Sequence, residues 1–144
     1  MIVYTVGTFD MLHVGYLRLL EHCQKLGSVV AIGVASDRVV HSYKPNKPVI
    51  PLEQRMQMLR ALRCVDIVIP YYDLEYVSGC RTVAADIFVV GEDWGTKAHN
   101  LAVEAYLLDQ GSEIVKVQYD LRTSSTQIKQ TVMAQPARKL AVAV

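Results

Sequence analysis

The sequence has almost no surplus of charge. Its 15 Lys and Arg face 14 Asp and Glu, for a formal net charge of +1. Sequence-independent binding to a nucleic-acid backbone draws on a strong basic excess, so no nucleic-acid partner is expected. Long apolar runs are also missing. None approaches the roughly 18–20 residues that cross a bilayer, and no membrane partner is expected. Met1-Ile2-Val3-Tyr4 leads straight into a strand pattern and lacks the shape of a leader peptide. Cysteine is scarce. Cys23, Cys64 and Cys80 form neither a CxxC pair nor a metal spacing. They read as structural thiols in a reducing compartment, so a cytoplasmic location is expected. The chain shows no internal repeat and no low-complexity tract.

What is present describes one globular domain. A chain of 144 residues, 51% hydrophobic and 20% charged, is long enough for one core and short for two. Apolar, β-branched runs at Ile2–Val6, Val29–Ala35, Ile67–Tyr71, Ile87–Val90 and Ile114–Tyr119 predict strands. They are nearly continuous, as in a parallel sheet covered on both faces. Helices are predicted at Val14–Lys25, Leu52–Arg63, about Leu74–Ala84, Ala98–Asp109 and Ser125–Val132. Asp37 is expected to cap a short helical turn. Val39–Pro51, with three prolines and two lysines, reads as irregular. Repeated alternation of strand and helix predicts an α/β fold, a doubly wound parallel five-stranded sheet with helices on both faces. The domain is expected to span residues 1–132. Residues 133–144, with Pro136 and a closing "LAVAV", are a tail, a linker or the start of a further domain.

In such a sheet, ligands bind outside the carboxyl ends of the strands. The polar and glycine residues collect there: "GTFDMLH" after the first strand, "ASD" after the second, "GEDWGTK" after the fourth and "YDLRTSST" after the fifth. Gly7 and Thr8 let a ligand approach the backbone. Gly15, in the first turn of a helix, costs about 1 kcal/mol of propensity against alanine. A phosphate near the helix start, with its free N–H groups and partial positive charge, would account for it. His13 at that boundary is either a phosphate donor or a helix cap. Ser124, Ser125 and Thr126 open the last helix, where one cap needs one hydroxyl. With Arg122 they read as a second anion cradle or as a polar cap beside a surface arginine. Trp94 walls a small ligand or fills the core, and Asp93 is placed for a hydroxyl or a metal ion. Lys44 and Lys47 either close over phosphates or lie in a solvated loop. Arg63, near a helix carboxyl end, is favourable there for electrostatic reasons alone.

The stretches "GTFDMLHVGY", "EQRMQMLRALRCVDIVIP", "DIFVVGEDWGTK" and "RTSSTQIK", in this order and spacing, resemble the cytidylyltransferase branch of the nucleotidylyltransferase superfamily, most of all the glycerol-3-phosphate cytidylyltransferases. The resemblance runs from Val3 to about Lys129. It implies a Rossmann-like fold, a homodimer, CTP and a small acceptor as partners, and Mg²⁺ accompanying CTP. It also implies nucleotide contacts from Gly7, Thr8, Phe9, His13, Lys47, Arg63, Asp93, Thr123, Ser124, Ser125 and Thr126. Catalytic roles fall to His13, Lys44, Arg122 and Tyr16, and acceptor contacts to Asp10, Tyr16 and Trp94. No protein-held metal site is expected. Two departures stand out. The segment between Arg122 and the serines is two residues short. Tyr16 replaces the second histidine of the HxGH signature: as a neutral phenol it either donates a hydrogen bond worth roughly 1.5–3 kcal/mol to the reacting phosphates or leaves the site weakened or retuned for another acceptor.

The expected reaction is in-line transfer of CMP from CTP to a phosphate or phosphonate oxygen of a small acceptor, with release of pyrophosphate. Catalysis is by positioning and electrostatics, without a covalent nucleophile. Glycerol 3-phosphate is the nearest analogy for the acceptor, with a hydroxyalkyl phosphonate next. The alternatives are an adenylyltransferase of the same superfamily and a non-catalytic nucleotide-binding module.

Overall fold

The computed structural model describes residues 1–118 and 124–136. Among the described residues the chain runs β1 (Ile2–Gly7), α1 (Val14–Leu26), β2 (Val29–Ala35), α2 (Asp37–Tyr43), α3 (Leu52–Arg60), β3 (Ile67–Tyr71), α4 (Val77–Val83), β4 (Ile87–Gly91), α5 (Ala98–Gln110), β5 (Glu113–Val117) and α6 (Ser125–Ala134). All pairings are parallel, in the order β3-β2-β1-β4-β5. The chain builds outward from β1 to β3, then returns to lay β4 on the other side of β1. That reversal puts the switch point at the carboxyl ends of β1 and β4.

The continuous apolar runs have their explanation in two cores. On one face Val3, Ile32 and Val89 pack with Leu20 and Cys23 of α1 and Leu59 of α3. On the other, Tyr4, Ala31 and Phe88 pack with Cys80 and Val83 of α4 and Val103 and Leu107 of α5. Successive residues of β1 and β4 therefore point into different cores, and the buried Thr5 hydroxyl of β1 is satisfied by donating to the Val89 carbonyl at 3.0 Å.

The two edges of the sheet differ. At the amino edge the carboxylate of Asp86 accepts the Ile2 N–H at 2.7 Å, while its own N–H donates to the Ile2 carbonyl at 2.9 Å. Asp66 does the same to Val30, at 2.8 and 2.9 Å. That edge is closed by its own side chains. The carboxyl edge is left to the loops.

Boundaries moved where capping decided them. Ser36, not Asp37, caps α2, accepting the Val39 N–H at 3.2 Å, and the expected turn becomes a helix of 7 residues. α3 ends at Arg60 and not Arg63, because the Ala61 and Leu62 N–H groups fold back onto Met58 and Leu59. α4 starts at Val77, after a turn in which Glu75 accepts the Ser78 N–H. α6 passes the expected end by two residues, to Ala134. Tyr119, the expected end of the fifth strand, and residues 137–144 of the tail lie outside the described residues.

The segment between α2 and α3 is irregular, as expected, yet firmly held. Asp10 accepts the N–H groups of Val49 and Ile50 at 2.8 and 3.0 Å. Arg55 of α3, only 1% exposed, donates from Nε to the Ile50 carbonyl at 2.8 Å. Its Nη1 donates to the carbonyls of Thr8 and Ala35 at 2.7 and 2.8 Å, and its Nη2 pairs with Asp37. One planar guanidinium thus joins the loop after β1, the end of β2, the start of α2 and the entry to α3. Arg55→Met leaves three carbonyls without their donors and is expected to cost about 3 kcal/mol or more. Arg55→Lys should recover little of it, since a point ammonium cannot match the fork. Urea unfolding of the two variants checks this.

Candidate active site

A cavity of ≈ 600 Å³ opens at the carboxyl edge, over the ends of β1 and β4. The loop after β1 forms its floor. A Cβ on Gly7 would stand 3.0 Å from the Phe9 ring, so glycine is what lets the turn fold over that ring. Phe9 and Met11 both adopt left-handed backbone, at φ 52° and 50°. Non-glycine residues pay roughly 1–3 kcal/mol for sparsely populated conformations of this kind, which gather at functional sites. The strain turns the Phe9 side chain inward, leaving the residue 2% exposed.

His13 caps α1. Its Nδ1 accepts the Gly15 N–H at 3.1 Å. The ring proton therefore sits on Nε2. That atom is buried and has no hydrogen-bond partner among the described residues, in a residue that borders the cavity. Burial lowers the imidazole pKa below its ordinary value, so the ring is neutral at pH 7. Of the two readings that the spacing left open, the cap is realised, and Nε2 stays without a partner among the described residues.

Tyr16 lies flat on His13, with ring centroids 4.2 Å apart and planes at 26°, and packs on Phe9 at 5.0 Å. Its hydroxyl is 3.1 Å from Ser125 Oγ. Ser125 has one proton and donates it to the Asp10 carbonyl, which can only accept. The phenol must then donate to Ser125. Tyr16 was expected to offer that proton to phosphates. In the structure the proton is engaged, and burial raises the phenol pKa and keeps it in place.

The start of α6 also differs from expectation. Ser124 is the cap, accepting the Gln127 N–H at 3.1 Å. Ser125 belongs to the hydroxyl chain. Thr126 is exposed and does not border the cavity. Gln127 borders it instead. Three converging hydroxyls do not form, because a helix start turns successive residues by about 100°. Arg122 and Thr123 lie outside the described residues.

Of the other expected residues, Gly7, Thr8, Lys44, Asp93 and Trp94 border the cavity. Lys47 is exposed and outside it. Arg63 is exposed between α3 and Asp66, at the amino edge opposite the cavity. Asp10 does not reach the cavity. Its carboxylate faces Val49, Ile50 and, at 3.5 Å, Lys129 Nζ, so its work is to hold loops together.

Trp94 Nε1 donates to Glu104 at 2.7 Å, and its ring meets Phe88 edge-on and Tyr76 at 5.8 Å. With its N–H engaged, it presents only aromatic surface. Tyr43, Tyr71 and Tyr76 extend this wall, and none was singled out from the sequence. The signal was there: "YYDLEY" follows the third strand, the one strand end left out of the polar survey. The cavity therefore has a polar pole at the starts of α1 and α6 and an aromatic pole at the ends of β3 and β4.

Residues 4–131 match the family model described as cytidylyltransferase-like. Among curated proteins, bifunctional protein HldE of Pectobacterium carotovorum subsp. carotovorum (strain PC1) is 33% identical over 138 residues, covering 95% of this chain and 28% of that protein. Bifunctional protein HldE of Yersinia pestis (strain Pestoides F) is 34% identical over 132 residues, covering 91% and 27%. The chain spans less than a third of the length of these relatives. Among solved structures, the lipopolysaccharide core biosynthesis protein of Thermoplasma volcanium GSS1 superposes with a TM-score of 0.68 at 22% identity, over 83% of this chain and 96% of that one. That likeness is one of fold. The family match takes in every element bordering the cavity, from β1 to the first turns of α6, and so the chain belongs to the cytidylyltransferase-like family of nucleotidyltransferases.

Proposed function

We propose that the chain transfers a nucleotidyl group, CMP from CTP, to a phosphate or phosphonate oxygen of a small acceptor. The observation that carries this reading is the unpartnered His13 Nε2–H, buried at the polar pole between two helix starts. An anion there meets the oriented N–H groups of the helix starts. An anionic oxygen of the acceptor attacks the α-phosphorus, forming the new P–O bond. The bond to the β-phosphate bridging oxygen breaks, and its electron pair leaves with pyrophosphate. No proton needs to move, which suits a site whose histidine is neutral.

His13 donates to the triphosphate as a neutral N–H, and Lys44 is the permanent cation among the described lining residues. Trp94, with Tyr76 behind it, holds the ring or carbon skeleton of a substrate. Asp93 is the acidic side chain among those lining residues. Mg²⁺ commonly takes one or two carboxylates together with substrate phosphates, so Asp93 fits an ion that arrives on the triphosphate as part of the substrate. The cysteines do not suggest a covalent route. All three are buried, with desolvation pushing Cys23 and Cys80 up to about 12 and Cys64 upward.

Pyrophosphate release, followed with CTP or ATP, Mg²⁺ and a panel of phosphates and phosphonates, tests the reading. Release with CTP and one acceptor class is expected. Release with ATP alone would replace the donor, and nucleotide binding without release on any acceptor would leave a binding module. His13→Ala should lower kcat by about 10²–10³-fold, the usual effect of deleting one such donor.

The same histidine gives a pH signature. Its folded-state pKa lies below the unfolded value near 6.5. The stability it contributes is complete above that value and is lost as pH falls through the folded pKa. His13→Asn keeps a capping side chain that cannot titrate, and should flatten the fall of Tm below about pH 6.5.

A further inference from the structure

We propose that Tyr16 is a positioning residue whose hydroxyl sets the start of α6 and whose ring sets the plane of His13, so that one side chain aligns both halves of the polar pole. What is being aligned rests on the nucleotidyl-transfer reading; the alignment itself does not.

The case begins with how weakly α6 is held. It buries no side chain fully, and Val132 and Met133 are 63% and 86% exposed. Among the described contacts, two tie it to the loop after β1 and one ties it to α1. Ser125 donates to the Asp10 carbonyl, Tyr16 donates to Ser125, and Lys129 lies 3.5 Å from the Asp10 carboxylate. The last is an ion pair whose lysine is 36% exposed, and such pairs contribute little. The hydroxyl chain joins the first turn of α6 to Asp10 and to α1. Its direction is dictated by the carbonyl at its end, so Tyr16 is its source. Asp10 is itself immobile, 3% exposed and bonded to Val49 and Ile50. The chain therefore references α6 to a rigid point, and the phenol connects that point to α1.

The ring carries the second half. Face-to-face contact at 4.2 Å holds the imidazole in the plane in which Nδ1 meets the Gly15 N–H. A side chain that donated directly to a reacting phosphate would have its proton free, and this one does not.

Backbone hydrogen exchange of residues 125–134 in the full chain, compared with α1, tests the first half without any turnover. In Tyr16→Phe, exchange across α6 should quicken by about fivefold, the equilibrium factor of one ordinary hydrogen bond, and in Ser125→Ala, which cuts both links, by at least as much. The double variant should be no worse than Ser125→Ala alone, because that variant already removes the acceptor of the Tyr16 proton. Tyr16→His, which restores the family signature, should loosen α6 as Tyr16→Phe does. The dissociation constant of CTP and its KM should rise by a similar factor, with a smaller change in kcat. Unchanged exchange in both single variants would overturn the proposal. So would additive effects, or a fall in kcat with CTP binding intact, which would make Tyr16 a direct donor to the reacting phosphates. If wild-type protein transfers nothing, the assigned function fails, while the exchange pattern still decides the role of Tyr16. For the ring, Tyr16→Leu should lower kcat further than Tyr16→Phe; equal values would show that stacking on His13 does nothing.

Discussion

One buried guanidinium holds the active edge together. A doubly wound sheet supplies strand ends at fixed spacing, but the segments that leave those ends have no ladder to hold them. Arg55 collects the carbonyls of Thr8, Ala35 and Ile50 and the carboxylate of Asp37 around a single plane. Each segment would otherwise pay for ordering separately. Arginine alone has the geometry, since five fixed N–H groups reach four acceptors in one plane. Asp10 performs the complementary task with acceptors, taking N–H groups from the same irregular segment. Between these two charges the loop after β1 is over-determined, which is why it can keep two non-glycine residues in left-handed backbone.

With the loops fixed, the chemistry of the cavity is set by where protons are. A helix N–H occupies one nitrogen of His13 and thereby puts the proton on the other. A backbone carbonyl occupies the Ser125 proton and thereby draws that of Tyr16. In both cases the backbone, which has no choice of donor or acceptor, decides the orientation of a side chain that has. The outcome is a polar pole in which the imidazole offers a donor and the phenol does not. Preorganisation of this kind needs no rearrangement when charge develops, and it suits a displacement that moves no protons.

Much of this was legible in the chain. Five β-branched runs spaced by helix-length segments leave few folds other than a doubly wound sheet, and the structure has that sheet. His13, Lys44, Asp93 and Trp94 directly follow strands or helix boundaries whose direction is known once the sheet is parallel, and they meet at the cavity. The misplaced residues failed for a common reason. Arg63, Asp10 and Thr126 were assigned by type and by motif, and each sits where its neighbours decide its direction: at the opposite edge, turned inward to amide groups, or rotated away by the helix. Arg55 was passed over because a lone arginine inside an amphipathic helix reads as surface. Its four acceptors come from positions as far apart as Thr8 and Ile50.

The sequence by itself determined the fold class, the edge at which the cavity opens and most of the chemical types present there. These follow from periodicity and strand direction, which are local. Tertiary structure decided which face each polar group turns to, which proton is engaged and which aromatic residues form the wall. Those are matters of distance between segments far apart in the chain. Tyr16 shows the division: its place after Gly15 is written in the sequence, but the acceptor of its proton stands 109 residues away.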